Sequence, residues 1–294
     1  MTLSIITPTY NRADYLPRCY NSLRGQTSCD FEWIIVDDGS TDNTEAVVSA
    51  FSSELFPIVY VKKPNGGKHT ALNASIPYIH GKNVLILDSD DYLLEYAVEK
   101  VISAWETYGK NPEIGVITFL RGTDANHAFA YVEEEGVPLD LFHHKRTVLI
   151  GNDCCETFLS DLFRANPFPV FENERFLSEG VLWKAIGRTH KCLYFNQIIY
   201  ICEYLEGGLT KQGRKLRILN PKGGMLNASL SMEKDNYFST RIKNGLLYDC
   251  YGFFAGVKPK SILFEQKNNL IIKASCLFPG YLLFRYWRRK YQND

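Results

Sequence analysis

Apolar positions follow two rhythms in the first third of the chain. Short continuous runs, Leu3–Thr7 (LSIIT), Phe31–Val36 (FEWIIV), Ile58–Lys62 and Asn83–Leu87, read as strands, the last of them buried on both faces. Between them, Leu16, Cys19, Tyr20 and Leu23 recur at i, i+3, i+4 and i+7, which predicts a helix over Tyr15–Arg24. Asp42 with Glu45 three residues on marks a second helix start. Lys68–Ile79 reads as a third helix, and Leu94, Ala97, Val98, Val101 and Trp105 mark a fourth. Strands alternating with helices predict an α/β fold, with a mostly parallel central sheet and helices on both faces. Ligands of such sheets bind beyond the carboxyl ends of the strands.

The pattern weakens from about Thr118. Ala128–Glu133 is expected as a strand, Cys155–Leu162 as a short helix before the Pro-rich RANPFPVF, and Glu179–Ile186 as a helix. After Gly207-Gly208 the chain turns basic (KQGRKLR), then helical and aromatic to its end.

Composition narrows the function classes. The 294 residues carry 33 Lys+Arg and 33 Asp+Glu, a formal charge of zero, so no bulk field points to nucleic acid. Eight cysteines without C-x-x-C spacing suit reduced thiols of a cytoplasmic protein better than a disulfide framework. MTLSIITPTYNR reads directly as a strand rather than as a signal peptide. The uncharged stretch Ala274–Phe284 is shorter than the ~20 residues that span a bilayer.

The chemistry concentrates in VLILDSDD, where Asp88, Asp90 and Asp91 follow an apolar strand. Like charges this close require water or a cation between them. A Rossmann site needs G-x-G-x-x-G after the first strand, where this chain has PTYNRADY. A P-loop fails because Lys62 stands where the upstream glycine belongs and His69 where Ser or Thr should follow Gly67-Lys68. The D-x-D pattern fits a third scheme, since Mg²⁺ or Mn²⁺ binds through one or two carboxylates plus substrate phosphates.

LSIITPTYNR, VDDGSTDNT and LDSDD, in that order and spacing, resemble the nucleotide-binding half of glycosyltransferase family 2 enzymes of the GT-A fold. FPVFENERFLSEGVLWKAI and YLEGGLTKQGRKLRILNP resemble a bacterial branch that builds surface polysaccharides. The resemblance implies a GT-A domain over 1–222, its nucleotide-sugar half at 1–110 and its acceptor half at 111–222, followed by a helical extension over 223–294. Pro8 and Tyr10, with Thr7 beside them, match the segment lining the nucleotide pocket. Asp38 matches the acidic contact to uracil or ribose. Gly67, Lys68 and Asn73 match the region packed beside the donor. Asp88, with Ser89 following, would reach ribose or sugar hydroxyls, and Asp90 would hold Mg²⁺ or Mn²⁺ on the diphosphate. Lys68 or the basic stretch Lys211–Arg217 would offset leaving-group charge.

The resemblance further implies inversion: an acceptor hydroxyl attacks the anomeric carbon of a nucleotide-diphosphate sugar, most often a UDP-sugar. The acceptor is a glycan or a lipid-linked sugar. The family's base is the Asp of a Glu-Asp pair, but here the stretch reads Ser178-Glu179-Gly180. Glu179 is left as the candidate base, with Glu172 and Glu174 as competitors. The basic, aromatic segment CLFPGYLLFRYWRRKY (276–291) is expected to contact a membrane interface, placing the protein in the cytoplasm, peripheral to the inner face of the membrane. Its plainer reading is a helix packed on the catalytic domain.

Plainer readings stand beside the rest as well. Asp37-Asp38-Gly39-Ser40 is also a turn with an N-cap, a role assigned to Asp37. The histidines have no metal-ligand spacing, and Cys154-Cys155 reads as buried packing. Two rival functions remain. A haloacid-dehalogenase-type phosphatase also begins with a strand and D-x-D, but it requires Thr or Val where this chain has Tyr92. A non-catalytic nucleotide-sugar-binding protein is the other, resting on Gly180 alone.

Overall fold

The computed structural model describes residues 1–140, 149–151, 154–202, 209–264 and 268–291. They form two compact units, Met1–Phe168 with Ala185–Glu203, and Pro169–Lys184 with Tyr204–Asp294.

The first unit opens with β1 (Leu3–Thr9), α1 (Leu16–Arg24), β2 (Phe31–Asp37), α2 (Thr44–Ser49), β3 (Ile58–Lys62), α3 (Lys68–Ser75) and β4 (Asn83–Ile86). It continues through β5 (Tyr92–Leu93), α4 (Ala97–Tyr108), β6 (Ile114–Asp124), β7 (His127–Ala128), β8 (Ala130–Val132), β9 (Leu149–Gly151), β10 (Cys154–Leu159) and α5 (Ser160–Ala165). β11 (Lys191–Ile201) completes it, after α6 (Gly180–Ile186), most of which belongs to the second unit. The main sheet runs β3-β2-β1-β4-β10-β6-β11-β5, with β7 added to β6. β3, β2, β1 and β4 pair in parallel, as do β6 and β11, while β10 is antiparallel to both its neighbours. This is the mostly parallel α/β sheet that the alternating pattern predicts.

β1 and β2 are buried along their whole length because both faces are covered. Leu3, Ile5, Phe31, Trp33 and Ile35 join Leu16, Cys19 and Leu23 of α1 and Val98 and Val101 of α4 in one core. Ile6, Ile34 and Val36 are equally buried and point to the opposite face by strand alternation. Within this apolar frame lies a buried carboxylate, Glu32. Glu32 accepts hydrogen bonds from the Ser4 hydroxyl (2.5 Å), His80 N–H (2.6 Å) and Gly81 N–H (3.2 Å), and sits 2.9 Å from His80 Nδ1. These donors hold its carboxyl below the usual value despite burial, which acts the other way.

One expectation for this unit needs correction. Cys155–Leu162 is not a helix: Cys154–Leu159 is β10, with α5 only after it. Cys155, Phe158, Leu159 and Leu162 share helical spacing, but this segment pairs with β4 on one side and β6 on the other. That pairing, and the Trp105 indole N–H donating to Thr157 Oγ1 at 2.8 Å, override the local pattern. β11 was not foreseen, because the register shifts between Tyr194 and Ile198 break its alternation.

The second unit contains α7 (Leu209–Leu219, interrupted at Gly213), α8 (Pro221–Ser231), α9 (Phe238–Phe254), α10 (Pro259–Phe264) and α11 (Leu270–Tyr291). Ala228, Met232, Tyr248, Ile262, Ile272 and Cys276 form its core. Close helix contact is set by small residues, since a Cβ on Gly280 would lie 2.8 Å from Asp249 Cβ. Among the described residues no helix is long and apolar enough to cross a membrane.

Candidate functional site: a carboxylate cluster bridged by the chain's own cations

Two glycines shape the loops at the carboxyl edge of the sheet. Gly39, after Asp37-Asp38, has φ +80, and Gly67, before Lys68, has φ +93, the left-handed region that glycine enters without strain. Asp37 anchors its own turn, accepting Ser40 N–H at 2.7 Å and the Tyr60 hydroxyl at 2.7 Å. That is the turn expected of it, but not a helix cap, since α2 begins after Asn43. Asp38 reaches across to the other loop. One carboxylate oxygen accepts Lys63 Nζ (2.6 Å) and Gly66 N–H (2.9 Å), and the other accepts Gly67 N–H (2.6 Å).

This clamp orients the next residue. Lys68 forms an ion pair with Asp88, just beyond β4. Arg12, from the loop after β1, lies 3.8 Å from Asp90, and the Arg18 guanidinium donates to the Asp90 backbone carbonyl. Asp88 N–H donates to the Tyr200 hydroxyl (2.9 Å), which donates to Asp91 (2.8 Å). Arg121 stacks 4.2 Å over the Tyr200 ring. Segments far apart in sequence thus converge, at the strand ends, on one acidic cluster bordered by cations.

The electrostatics follow from that crowding. Burial would raise the Asp88 carboxyl, but Lys68 and Arg121 carry it below its ordinary value. Asp90 is raised by burial and by Asp88. Asp91 is pushed up to about 7 by burial and by Asp88, against the Tyr200 hydrogen bond. Burial and mutual repulsion thus make it costly to ionise all three carboxylates at once, even with Lys68 and Arg12 beside them. The hard oxygen donors suit a divalent cation of the Mg²⁺ or Mn²⁺ kind. No group of three or more His, Cys, Asp or Glu is arranged as a cage among the described residues. A cation shared with substrate phosphates needs only one or two carboxylates, and Asp90 is partly exposed.

Other candidates fall as follows. Tyr10 is exposed at the end of β1, while Pro8 lies buried within it. Thr7 is fully buried, its hydroxyl accepting the Trp33 indole N–H at 2.8 Å. Ser89 is buried. The Asn73 amide brackets the Phe168 backbone, donating to its carbonyl and accepting its N–H, both at 2.8 Å. Glu179 is half-buried in the second unit and immediately precedes α6. Glu174 there is buried, its two oxygens accepting the Lys222 (2.7 Å) and Gly223 (2.8 Å) N–H groups at the start of α8. Glu172 is exposed. In the basic stretch, Arg214 stacks 4.5 Å over Trp287, and the Lys211 side chain lies outside the described residues. The residues missed by sequence reading are Arg12, Arg18, Arg121, Lys63 and Tyr200. Arg12 stood inside PTYNR, but nothing local in the sequence directs it toward Asp90.

A mostly parallel α/β sheet with an acidic cluster at its carboxyl edge is a frame that binds its ligands beyond the strand ends. Residues 4–146, just under half of the chain, match the sequence profile of glycosyl transferase family 2. Over 97 residues the chain is 43% identical to a chondroitin synthase of Pasteurella multocida, covering 33% of this chain and 10% of that protein. It is 30% identical over 156 residues to the putative teichuronic acid biosynthesis glycosyltransferase TuaG of Bacillus subtilis, covering 51% of this chain and 56% of TuaG. The chain thus spans less than two thirds of either relative. In three dimensions it resembles S. aureus TarS 1-349, solved with UDP-GlcNAc, with a TM-score of 0.60 at 18% identity over 99% of this chain and 92% of that one. At that identity the likeness concerns the fold. The family 2 profile, which spans the acidic cluster, speaks against the phosphatase alternative.

Proposed function

We propose that the protein is a metal-dependent, inverting glycosyltransferase of surface-polysaccharide synthesis. It moves a sugar from a nucleotide-diphosphate donor of the UDP-sugar class to a hydroxyl of a glycan or lipid-linked acceptor. The observation that carries this reading is the chain of contacts from Asp38 through Gly67 to Lys68 and Asp88, beside Asp90 and Arg12. It lines the strand ends with carboxylates paired to cations, suited to a diphosphate that arrives with its own counter-ion. The relatives named for chondroitin and teichuronic acid synthesis, and the neighbour solved with UDP-GlcNAc, support the substrate class.

In this reading Asp90 would hold Mg²⁺ or Mn²⁺, which supplies positive charge to the departing diphosphate. Lys68 would turn from Asp88 to the same oxygens. Tyr10 and Asp38 would border the base and ribose, and Asp88 and Ser89 the sugar. The acceptor oxygen forms the new bond to the anomeric carbon as the bond to the diphosphate oxygen breaks, and its proton passes to Glu179. Glu174 is a weaker choice of base because both its oxygens are committed to α8. A cleft of ≈ 670 Å³ in the first unit, lined by Tyr96, Lys100, Asn126, Tyr131 and Gln197 among others, offers the aromatic and amide surfaces that sugars bind. Residues 276–291 would rest against a membrane carrying the acceptor.

Calorimetric titration of UDP, GDP and dTDP, with and without Mn²⁺, tests the donor half. One nucleotide should bind in a metal-dependent manner to the wild type and not to Asp90→Ala. Binding indifferent to both metal and mutation would refute the assignment. Turnover unchanged in Glu179→Ala would remove Glu179 as base, and absence of turnover in the wild type would favour a non-catalytic binding protein.

A further inference from the structure

α11 has two apolar faces. Ile272, Cys276, Gly280 and Trp287 are buried within the second unit, in the cores shared with α9. On the other side Ile271 is 85% exposed, Phe278 70%, Leu282 52% and Tyr286 58%. At 3.6 residues per turn these four, with Arg285 and Arg289, fall within an arc of roughly 100°. A helix that has already buried one face has no internal reason for a second apolar one, and a stripe of this kind marks an interaction surface.

The charges say what covers it. Between residues 268 and 291 there is no Asp or Glu, while Arg285, Arg288, Arg289 and Lys290 are all exposed. Tyr281, Phe284, Arg285, Arg288 and Arg289 line a cleft of ≈ 370 Å³. Helical geometry puts the cleft on the flank of the stripe, at the level where headgroups would lie if Phe278, Leu282 and Tyr286 entered the acyl boundary. Guanidinium groups suit phosphate oxygens through paired N–H donors. A second copy of the chain would bring the same cations against themselves.

We infer that the outer face of α11 docks on an anionic phospholipid bilayer, and that Arg285, Arg288 and Arg289 form a cleft for a lipid phosphate which selects anionic over zwitterionic membranes. This rests on the proposed membrane contact of residues 276–291 and specifies its face, its depth and its lipid.

The test is co-sedimentation of the full chain with vesicles of phosphatidylcholine alone, and of phosphatidylcholine containing about a third phosphatidylglycerol, at low and high salt. The wild type should bind the anionic vesicles and be released by salt. Arg285→Gln/Arg288→Gln/Arg289→Gln should lower the partition coefficient on anionic vesicles by roughly a hundredfold. Phe278→Ser/Leu282→Ser should lower it at least tenfold, about the loss of two buried apolar side chains. Circular-dichroism melts check that both variants fold, as their changed side chains point outward. Equal binding to both vesicle types would overturn the phosphate cleft and leave surface contact standing. No binding to either would overturn both. A stable dimer by light scattering, dispersed by Phe278→Ser/Leu282→Ser, would assign the face to a second copy and overturn the membrane reading. Nucleotide titration is independent of all three outcomes, so failure here is separable from failure of the donor site.

Discussion

Asp38 shows how much a single side chain organises at this site. Its three accepted hydrogen bonds join the end of β2 to the loop that delivers Lys68. Asp38→Asn would turn an amide N–H toward a donor already present, at a cost of about 1–3 kcal/mol. Urea unfolding should report that loss, and nucleotide affinity should fall with it. A variant of wild-type stability would show that the clamp is dispensable. Glu32 makes a second residue-scale case. Its folded carboxyl titrates below the ordinary value, so its contribution is whole above the unfolded value of ~4.3 and is lost as pH falls through the lower folded value. Glu32→Gln should therefore destabilise the protein at neutral pH and flatten the acid limb of its stability profile. An unchanged acid limb would contradict this. The sequence showed Asp38 and Lys68 as candidates, and the resemblance supplied their neighbourhood. It did not show Arg12 on Asp90 or Tyr200 on Asp91, because those partners are joined only by folding.

At the scale of elements, two glycines beside candidate site residues behave oppositely. A Cβ at Gly39 would sit 2.8 Å from the Asn65 backbone nitrogen at φ +80, so Gly39→Ala should cost more than ~1 kcal/mol. At Gly180 a Cβ meets only Ser178 Oγ at 3.4 Å and Asn227 Oδ1 at 3.9 Å, so Gly180→Ala should be neutral or gain ~0.4–1 kcal/mol. Paired thermal melts check both. A destabilised Gly180→Ala would mean that the backbone, rather than the substrate, requires glycine there. The α9–α11 pair carries the clearest pH dependence. Asp249 and Lys273 are both fully buried, and burial pushes the Asp249 carboxyl up to about 7 against the pull of Lys273. A raised folded value means stability is greatest in acid and declines as pH rises through about 7. The melting temperature of the wild type should accordingly drop between about pH 5 and pH 8 more than that of Asp249→Asn. Parallel profiles would disprove the assignment. Element prediction itself worked where local pattern and tertiary role agreed, as in β1, β2 and α1. It failed at β10, whose helical spacing was overruled by two flanking strands, and at β11, whose bulge hid the alternation.

For the whole molecule, a formal charge of zero hides local concentrations of either sign. An acidic cluster sits at the carboxyl edge of the sheet in one unit, and a cationic helix end lies in the other. Ligand linkage follows. A nucleotide diphosphate and Mn²⁺ together should raise the melting temperature more than either alone, by the equivalent of about 2.7 kcal/mol at a hundredfold excess over the dissociation constant. Simple additivity of the two shifts would argue against a shared site.

Taken by itself, the sequence determined the α/β class, most elements of the N-terminal half, the position of the acidic cluster after the fourth strand, and the family the chain resembles. Those properties are local, since they depend on periodicity, turn chemistry and short motifs read along the chain. Only the tertiary structure decided that the like charges of Asp88 and Asp90 are met by Lys68 and Arg12, that Glu174 is spent on a helix start, and that α11 keeps a second apolar face. Each of those depends on which residues distant in sequence come within a few ångströms, and pattern along one strand or helix does not encode that distance.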